Sequence, residues 1–300
     1  MTQSFTLALA QMNPVVGDLA GNASRIRQLA AKAADLGADL VLYPEMALVG
    51  YPAQDLVIAP GFREAAMQAA EEIARATKDL PCDLLFGALW YENGHTYNVS
   101  LLASGGTLRV IRTKYDLPNY GVFDEKRVFA VGQVAGPLTI RGVRVGVPIC
   151  EDIWHPDVCR HLADFGAGMF LCINGSPYEI EKDVLRIEGV AKRRAADTGL
   201  PLAYLNRIGG QDELVFDGGS FAMDAQGRLT HQWPSFVEVF DFIDIFICGR
   251  LATGLSHAPI PSRGYVRSLS RHRAPGRPGR WRRCSPRGKS PPASACQGRG

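Results

Sequence analysis

Apolar and polar residues follow two distinct patterns along the first 240 residues. Short aliphatic and β-branched runs, typical of buried strands, alternate with longer segments whose apolar residues recur every three to four positions. Strands are predicted at residues 5–10, 39–43, 84–89, 97–103, 108–113, 143–149, 169–173 and 202–205, and helices at 62–78, 157–165 and 187–198. This alternation indicates an α/β domain whose central strands are covered by helices.

Capping and turn residues mark two further segments. The run Asn22-Ala23-Ser24 offers an N-terminal cap for a helix whose apolar side begins at Ile26, and Gly37 is a suitable stop. Farther along, Gly218–Leu229 contains the turn Asp224-Ala225-Gln226-Gly227 and is predicted to form a hairpin. We expect this hairpin to join the sheet formed by the preceding strands.

The sequence changes character near residue 250. Residues 262–300 are rich in Arg, Pro, Gly and Ser, contain few large apolar residues and show no helical or alternating period. Such a segment cannot bury enough apolar surface to order itself. The sequence therefore predicts a folded domain over residues 1–250 and a basic, disordered tail over residues 251–300.

Charge is divided between the same two parts. The formal net charge is +3, but residues 251–300 hold 11 of the 33 Lys and Arg residues and none of the 30 Asp and Glu residues. Residues 1–250 consequently carry 22 basic and 30 acidic residues, a net charge of −8. An acidic domain argues against nucleic-acid binding, which requires a positive field. A catalytically silent protein whose tail binds RNA or an acidic partner is an alternative that depends on the tail's charge alone.

The N-terminus and the cysteines both predict a cytoplasmic protein. Residues 1–5 lack the positive charges that begin a signal peptide, and no uninterrupted apolar run is long enough for a membrane span. The seven cysteines include no Cys-x-x-Cys pair and no Cys/His spacing typical of a zinc site. Reduced thiols in a reducing compartment are the simplest explanation, and we expect no metal site and no membrane contact.

Three chemically reactive side chains follow predicted strands. Glu45 comes after strand 39–43, Lys114 after strand 108–113 and Cys150 after strand 143–149. The ends of strands in an open α/β sheet are a common place for active sites. A thiol with an ordinary pKa of about 8.5 needs a base or a cation before it attacks a carbonyl. Glu45 is suited to take the proton, and Lys114 is suited to stabilise the thiolate and a developing oxyanion.

Each of these residues has a simpler explanation when it is considered alone. A cysteine ending a buried strand is usually an inert apolar residue, a glutamate after proline usually lies in a solvated turn, and a lysine after a strand usually marks an exposed end. All three occur here in the order Glu, Lys, Cys, each with specific neighbours. This combination favours covalent catalysis.

The runs around these positions resemble a known family. Pro44-Glu45, residues 117–127 after Lys114, and the run Ile149-Cys150-Glu151-Asp152-Ile153-Trp154 strongly resemble the nitrilase, or carbon-nitrogen hydrolase, superfamily. The resemblance covers about residues 4–240. Residues 174–178 and 206–218 are more specific and resemble the glutaminase domain of glutamine-dependent NAD synthetases.

The resemblance implies a four-layer α-β-β-α sandwich and a thioester mechanism. Cys150 would attack the side-chain amide of glutamine and release ammonia, with Glu45 as general base and acid and Lys114 as the oxyanion partner. Glu125 matches a second glutamate that would orient Lys114 and the attacking water. By motif position, five residues are candidates for holding the glutamine: Tyr51, Tyr120, Glu151, Ser176 and Tyr178. For each tyrosine, core packing is an equally good explanation.

The chain also departs from the family it resembles. Such synthetases continue into an ATP-using domain, which receives the ammonia and amidates nicotinate adenine dinucleotide. No Ser-Gly-Gly-x-Asp-Ser pyrophosphate loop occurs in this sequence. We therefore expect no cofactor in this domain, with ATP and Mg²⁺ belonging to the missing synthetase domain. Together with the biased tail, this predicts a truncated or frame-slipped copy of the synthetase.

The resemblance further implies three partners: glutamine as substrate, a synthetase domain acting in trans, and copies of the same chain in a homo-oligomer. One alternative enzyme stays open at this point. A free-standing nitrilase-superfamily amidase or N-carbamoyl hydrolase would use the same three residues on a different amide. Glutamine would then not be the preferred substrate.

Overall fold

The computed structural model describes residues 3–248 and 251–257. The strands are β1 (Gln3–Gln11), β2 (Leu40–Leu42), β3 (Asp83–Glu92), β4 (His95–Ser104), β5 (Thr107–Thr113), β6 (Leu138–Ile140), β7 (Val143–Gly146), β8 (Met169–Asn174), β9 (Leu202–Asn206), β10 (Ile208–Gln211), β11 (Leu214–Asp217), β12 (Phe221–Met223), β13 (Leu229–Gln232), β14 (Val239–Cys248) and β15 (Leu251–His257). The α-helices are α1 (Leu19–Asp35), α2 (Pro60–Ala76), α3 (Glu125–Val128), α4 (Pro156–Asp164), α5 (Lys182–Val184) and α6 (Lys192–Thr198). Two 3₁₀ helices, Gln54–Ile58 and Cys150–Ile153, and a π-helix, Leu185–Ala191, complete the list.

Two mixed sheets form the centre of the domain. One has seven strands in the order β15-β14-β1-β2-β3-β4-β5, and the other has six in the order β13-β12-β9-β8-β7-β6. Strands β1, β2 and β3 are parallel to one another, as are β7, β8 and β9, and the outer strands pair antiparallel. The parallel strands lie in the middle, where both faces of each sheet are covered.

Three apolar clusters show how the layers stack. The cluster between the sheets combines Leu7 and Leu42 of the first sheet with Leu171 and Leu205 of the second. A second cluster packs α1 and α2 on the outer face of the seven-stranded sheet, and a third packs α4 and the later helices on the outer face of the six-stranded sheet. The predicted four-layer α-β-β-α sandwich is therefore confirmed.

Strand β1 shows how the sequence specifies these layers. Its large residues Leu7 and Leu9 face the second sheet, and the intervening Ala8 and Ala10 face the helices. Successive strand residues point to opposite faces of a sheet. The alternation therefore places the large leucine side chains between the two sheets, and the small alanine side chains on the other face allow the helices to approach closely. Full burial of each leucine contributes about 1.5–3 kcal/mol.

Most predicted elements are present, with shifted ends. Predicted strand 143–149 stops at Gly146, and Ile149 makes only a single bridge to Ile173. Predicted helix 187–198 is wound as a π-helix over Leu185–Ala191 before it becomes α-helical. The predicted hairpin is formed by β12 and β13 around the turn at Asp224, and it lies in the six-stranded sheet.

The cap predicted for the first helix is wrong. Asp18 is the N-cap, with its Oδ1 accepting from the Gly21 N–H at 2.8 Å, and the helix begins at Leu19. Asn22 lies inside the helix and is buried. Its side chain accepts from Val15 N and donates to Val15 O and Leu48 O, so a typical capping residue is used here for a tertiary contact.

The predicted domain boundary needs a correction as well. Strand β14 pairs with β1 over nine residues, and β15, Leu251–His257, pairs antiparallel with β14 at the edge of the sheet. The folded domain therefore extends beyond residue 250, because β15 is held by its pairing with β14, which the composition of residues 251–257 does not show. Residues 258–300, with most of the predicted tail, lie outside the described residues.

Within the described residues, none of the helices is both long enough and apolar enough to cross a bilayer.

We expect Asn22→Ala to lower the free energy of unfolding by about 2 kcal/mol, because it removes the side-chain partner of the Val15 N–H and of the buried Leu48 carbonyl. Chemical denaturation monitored by circular dichroism measures this loss. Ser24→Ala is the matched control on the same helix and should change stability by less than about 0.5 kcal/mol, since its hydroxyl contacts only exposed Gln28. Equal losses in the two variants would contradict the assignment of Asn22 to the core.

Candidate active site

Glu45 lies just beyond β2 and is completely buried. Its Oε1 accepts from Lys114 Nζ at 2.8 Å and from Asn98 Nδ2 at 2.7 Å. Its Oε2 accepts from the Gly175 N–H at 2.7 Å. Three donors from three segments thus compensate the loss of water around this carboxylate, as a buried charge requires.

Two residues that support Glu45 were missed by the sequence analysis. Asn98, on β4, donates to Glu45 and also accepts from Lys114 N through its backbone carbonyl at 2.8 Å. Gly87, on β3, passes so close that a Cβ at this position would lie 2.6 Å from Glu45 Cα. A glycine within a predicted strand is a signal for such a close backbone approach.

Lys114 follows β5 and is 1% exposed. Its Nζ donates to Glu45 Oε1 and to Glu125 Oε1, both at 2.8 Å. Burial alone lowers the pKa of Lys114, but the charges of Glu125 and Glu45 outweigh this effect and raise the pKa well above its ordinary value. The ammonium therefore stays charged in a site closed to water.

Glu125, the first residue of α3, completes this buried cluster. Its Oε1 accepts from Lys114 and from the Tyr51 hydroxyl at 2.8 Å, whereas its Oε2 is buried without a hydrogen-bond partner among the described residues. Burial raises the pKa of Glu125 to about 7, an effect that Lys114 opposes and Glu45 reinforces. Glu125 therefore exchanges its proton near neutral pH.

Cys150 begins the 3₁₀ helix Cys150–Ile153 with a positive φ of 48°. This left-handed conformation is uncommon for a residue with a side chain and costs about 1–3 kcal/mol. Asp152 offsets the cost, because its carboxylate accepts from Ile149 N at 3.1 Å and from Tyr115 N at 3.0 Å. It thereby joins the Cys150 turn to the segment that follows Lys114.

Asp152 and its partner Arg112 were not identified from the sequence. Both are buried, and Arg112 Nη2 lies 3.6 Å from Asp152 Oδ2. The acidic run after Cys150 resembled a motif, but nothing local distinguishes Asp152 as structural from its neighbour Glu151. The difference arises from Arg112, which is 40 positions away in the chain.

The electrostatics around Cys150 favour a protonated thiol at rest. Burial raises its pKa well above the ordinary value, the charge of Glu45 raises it further, and Lys114 acts in the opposite direction. Glu151 and Glu125 add smaller upward effects. The thiol therefore needs a nearby base to remove its proton, and Glu45 is the acidic group with the strongest effect on it.

The five residues predicted to hold the substrate fall into separate groups. Tyr51 is buried and bonded to Glu125, whereas the Tyr120 hydroxyl donates to Glu151 Oε1 at 2.9 Å. Ser176 is buried in a different network, and Tyr178 is 45% exposed with its ring 5.4 Å from that of Phe236. The structure thus joins Tyr51 and Glu151 to the surroundings of Cys150, and Tyr178 has its described contacts elsewhere.

A cleft of about 420 Å³ is lined by Tyr120 and by Glu151, the residue that follows Cys150 in the sequence. Its other lining residues are Tyr115, Asp116, Leu117, Pro118, Asn119, Lys126, Val131 and His155. The cleft presents both charged and aromatic groups, which suits a small polar ligand. Among the described residues, no group of three or more His, Cys, Asp or Glu side chains is arranged to hold a metal ion.

Comparison with known proteins gives relatives over most of the described domain. The carbon-nitrogen hydrolase family matches residues 6–240. The glutamine-dependent NAD(+) synthetase of Rhodobacter capsulatus is 43% identical over 245 residues, which cover 82% of this chain and 44% of that protein. The corresponding protein of Acinetobacter baylyi is 38% identical over 79% of this chain and 43% of its own length. The chain therefore spans less than half the length of these relatives.

Solved structures agree in fold. The glutamine-dependent NAD+ synthetase from Acinetobacter baumannii, in complex with ADP, has a TM-score of 0.76 at 32% identity, covering 87% of this chain and 49% of that one. A mutant of the amidase from Nesterenkonia sp. AN1, with acrylamide added at its active-site cysteine, has a TM-score of 0.68 at 26% identity. That comparison covers 80% of this chain and 92% of the amidase.

The resemblance inferred from the motifs is confirmed by these matches, and the layered fold agrees with them. The described domain corresponds to the N-terminal part of the synthetases. The chain belongs to the carbon-nitrogen hydrolase family.

Proposed function

We propose that this chain is a glutamine amidohydrolase, the ammonia-releasing part of a glutamine-dependent NAD synthetase. The observation that carries the proposal is the buried cluster in which Lys114 Nζ bridges Glu45 and Glu125 and whose charges act on the Cys150 thiol. The synthetase relatives support glutamine as the amide donor. The amidase with an adduct on its active-site cysteine supports Cys150 as the nucleophile.

In the first half of the proposed reaction, Glu45 removes the proton from Cys150 Sγ as the sulfur attacks the side-chain amide carbon of glutamine. The carbonyl oxygen becomes an oxyanion, which Lys114 and the backbone N–H of Glu151 stabilise. Collapse of this intermediate breaks the C–N bond. Glu45 returns the proton to the leaving nitrogen, so the products are ammonia and a thioester on Cys150.

In the second half, water attacks the thioester carbon, and Glu45 takes a proton from this water. The C–S bond breaks, glutamate leaves, and the proton returns to Cys150 Sγ. Glu125 orients Lys114 and the water, while Tyr51 orients Glu125 through their hydrogen bond. Glutamine binding is assigned to Tyr120, Glu151, Ser176 and Tyr178 together with Tyr51, as the motifs imply.

The ammonia would be used by a synthetase domain in trans, where ATP and Mg²⁺ would act on the acid to be amidated. A homo-oligomer and a cytoplasmic location remain predictions of the sequence. The four buried cysteines of the described part, Cys82, Cys150, Cys159 and Cys172, are all free, which supports a reducing compartment.

A free-standing amidase acting on another small amide is the second candidate. It is favoured by the amidase from Nesterenkonia, of which the alignment covers 92%. Ammonia release measured with glutamine, asparagine, ω-amides and N-carbamoyl compounds separates the candidates. Preference for a compound other than glutamine would reject the first.

We expect the intact chain, quenched during turnover with glutamine, to carry a glutamyl group on Cys150. Mass spectrometry of the Cys150 peptide detects the added mass, and Cys150→Ser should abolish it with little change of fold, because an alcohol is much harder to deprotonate than a thiol. Cys159→Ser is the matched control, since Cys159 lies on α4, packs in the outer cluster and should leave the adduct intact. A glutamyl adduct on another residue would contradict the assignment of Cys150 as the nucleophile.

We expect Glu45→Gln and Lys114→Met each to lower kcat by at least about 10³-fold, and the double variant to be little worse than either single one. The three residues act as a unit, so their losses should not add. Steady-state kinetics with glutamine measure this. Additive losses would indicate that Glu45 and Lys114 act independently.

The raised pKa of Glu125 predicts a pH effect on stability. Between its ordinary value of 4.5 and its folded value of about 7, the folded protein keeps the proton and the unfolded chain has lost it. This contribution to stability is complete below pH 4.5 and is lost as the pH rises through 7. Glu125→Gln does not titrate, so its free energy of unfolding relative to wild type should rise by about 3 kcal/mol between pH 4 and pH 8.

Urea denaturation across this pH range measures the difference. Glu64→Gln, at an exposed position on α2, is the matched control and should show the pH dependence of the wild type. A pH-independent difference between Glu125→Gln and wild type would show that the pKa of Glu125 is the same in the folded and the unfolded protein.

A further inference from the structure

Arg186 is a buried arginine to which the proposed mechanism gives no role. It is 1% exposed, and all three of its guanidinium nitrogens have acceptors. Nη1 donates to both Asp217 carboxylate oxygens at 2.8 Å, and Nη2 donates to Ser176 O at 2.9 Å and Pro177 O at 2.8 Å. Nε donates to Ser176 Oγ at 3.1 Å. Arg186 therefore fixes two successive carbonyl groups in one loop.

That loop, residues 174–177, supplies a donor to the proposed base. Gly175 N donates to Glu45 Oε2 at 2.7 Å. The loop is also held by Asn206, whose Oδ1 accepts from Ser176 N at 2.9 Å and whose Nδ2 donates to Ser176 O at 3.0 Å. Asn206 thus holds the Gly175–Ser176 peptide group, and Arg186 holds the two carbonyls that follow it. The peptide group that carries the Gly175 N–H is held on its other side, because the Asn174 carbonyl accepts from Arg207 N at 3.2 Å.

The helix that carries Arg186 has an unusual winding. Residues 185–191 form a π-helix, a rare geometry that occurs frequently at functional sites. Arg186 is buried there while its neighbours Val184 and Leu185 are 56% and 48% exposed. Burying an arginine and exposing a leucine reverses the ordinary preference, and it is tolerated because Asp217 and the loop carbonyls satisfy the charge.

The two motif runs that most resembled the glutaminase domain meet at Arg186. Ser176 and Pro177 belong to the first run, and Asp217 is the second-last residue of the second. Asn206, which starts the second run, binds Ser176 and also donates to Gly218 O at 3.1 Å. The contacts of Ser176, Asn206 and Asp217 belong to the hydrogen-bond network that leads through Gly175 to Glu45. The presence of these residues in the motif runs can therefore be explained without a role for each in binding glutamine.

We propose that Arg186 is a positioning residue for Glu45, which acts by holding the 174–177 loop so that the Gly175 N–H stays on Glu45 Oε2. This inference rests on the proposed function, in which Glu45 is the base. The groups around Glu45 that carry or can carry charge are Lys114, Glu125, Cys150, Tyr51 and Arg207. Only the Gly175 contact depends on the loop that Arg186 holds.

The test uses Arg186→Lys and Arg186→Met in the full 300-residue chain. A lysine keeps the charge opposite Asp217 but cannot donate to both loop carbonyls. Without a firmly held Gly175 N–H, the Glu45 carboxylate is protonated more easily. We expect the acid limb of the pH profile of kcat/KM to move up by about one pH unit. At pH values below the limb, kcat should then fall by about 10-fold, with KM changed less than about threefold.

Arg194 provides a matched control on the adjoining α6. It is also a buried arginine paired with an aspartate, Asp197, at 3.3 Å. Arg194→Lys and Arg194→Met should leave the acid limb unchanged even if they lower the melting temperature. An equal shift of the limb in the Arg194 variants would attribute the effect to general destabilisation and overturn the proposal.

A second readout does not depend on the substrate. The rate at which iodoacetamide alkylates Cys150, followed by mass spectrometry of its peptide across pH, should show the same upward shift in Arg186→Lys. If wild type fails to hydrolyse glutamine but this shift is present, the proposed function fails and the positioning role stands.

An unchanged limb in both readouts would overturn the role of Arg186. So would a rise in KM without a shift of the limb, which would assign Arg186 to substrate binding through Ser176. Failure of Arg186→Lys to fold would show a purely structural residue and would also overturn it.

Discussion

A buried ammonium between two buried carboxylates is the constraint on which the rest of the site depends. Lys114 Nζ lies 2.8 Å from both Glu45 and Glu125, and all three side chains are closed to water. Breaking such a cluster by removing one partner costs about 3–5 kcal/mol, because an uncompensated charge is left in a medium of low polarity. The segments that carry these groups must therefore meet in one arrangement.

The same constraint accounts for several features that look unrelated in the sequence. Gly87 has no side chain because Glu45 needs the space, and Asn98 faces inward because Glu45 needs a second donor to Oε1. The 174–177 loop leaves β8 with its Gly175 N–H aimed at Oε2. Asn98 and Gly175 thus supply hydrogen bonds to a charge that burial would otherwise make unstable, and Gly87 leaves the space for it.

The position of Cys150 follows from a second buried ion pair. Asp152 accepts from the backbone N–H groups of Ile149 and Tyr115 and lies beside Arg112. These contacts of Asp152 hold the left-handed turn at Cys150. A thiol in these surroundings is neutral, so its reactivity depends on a base and not on a lowered pKa.

The sequence by itself determined the alternation of strands and helices, because the period of apolar residues depends only on neighbours a few positions apart. It also singled out Glu45, Lys114, Glu125 and Cys150 as candidates, because strand ends and motif runs are local. Only the tertiary structure decided that Asn22 is a core residue and not a cap, and that β15 belongs to the folded domain. It likewise placed Asn98 beside Glu45, Asp152 beside Arg112 and Arg186 beside Asp217, since each of these contacts joins segments distant in the chain.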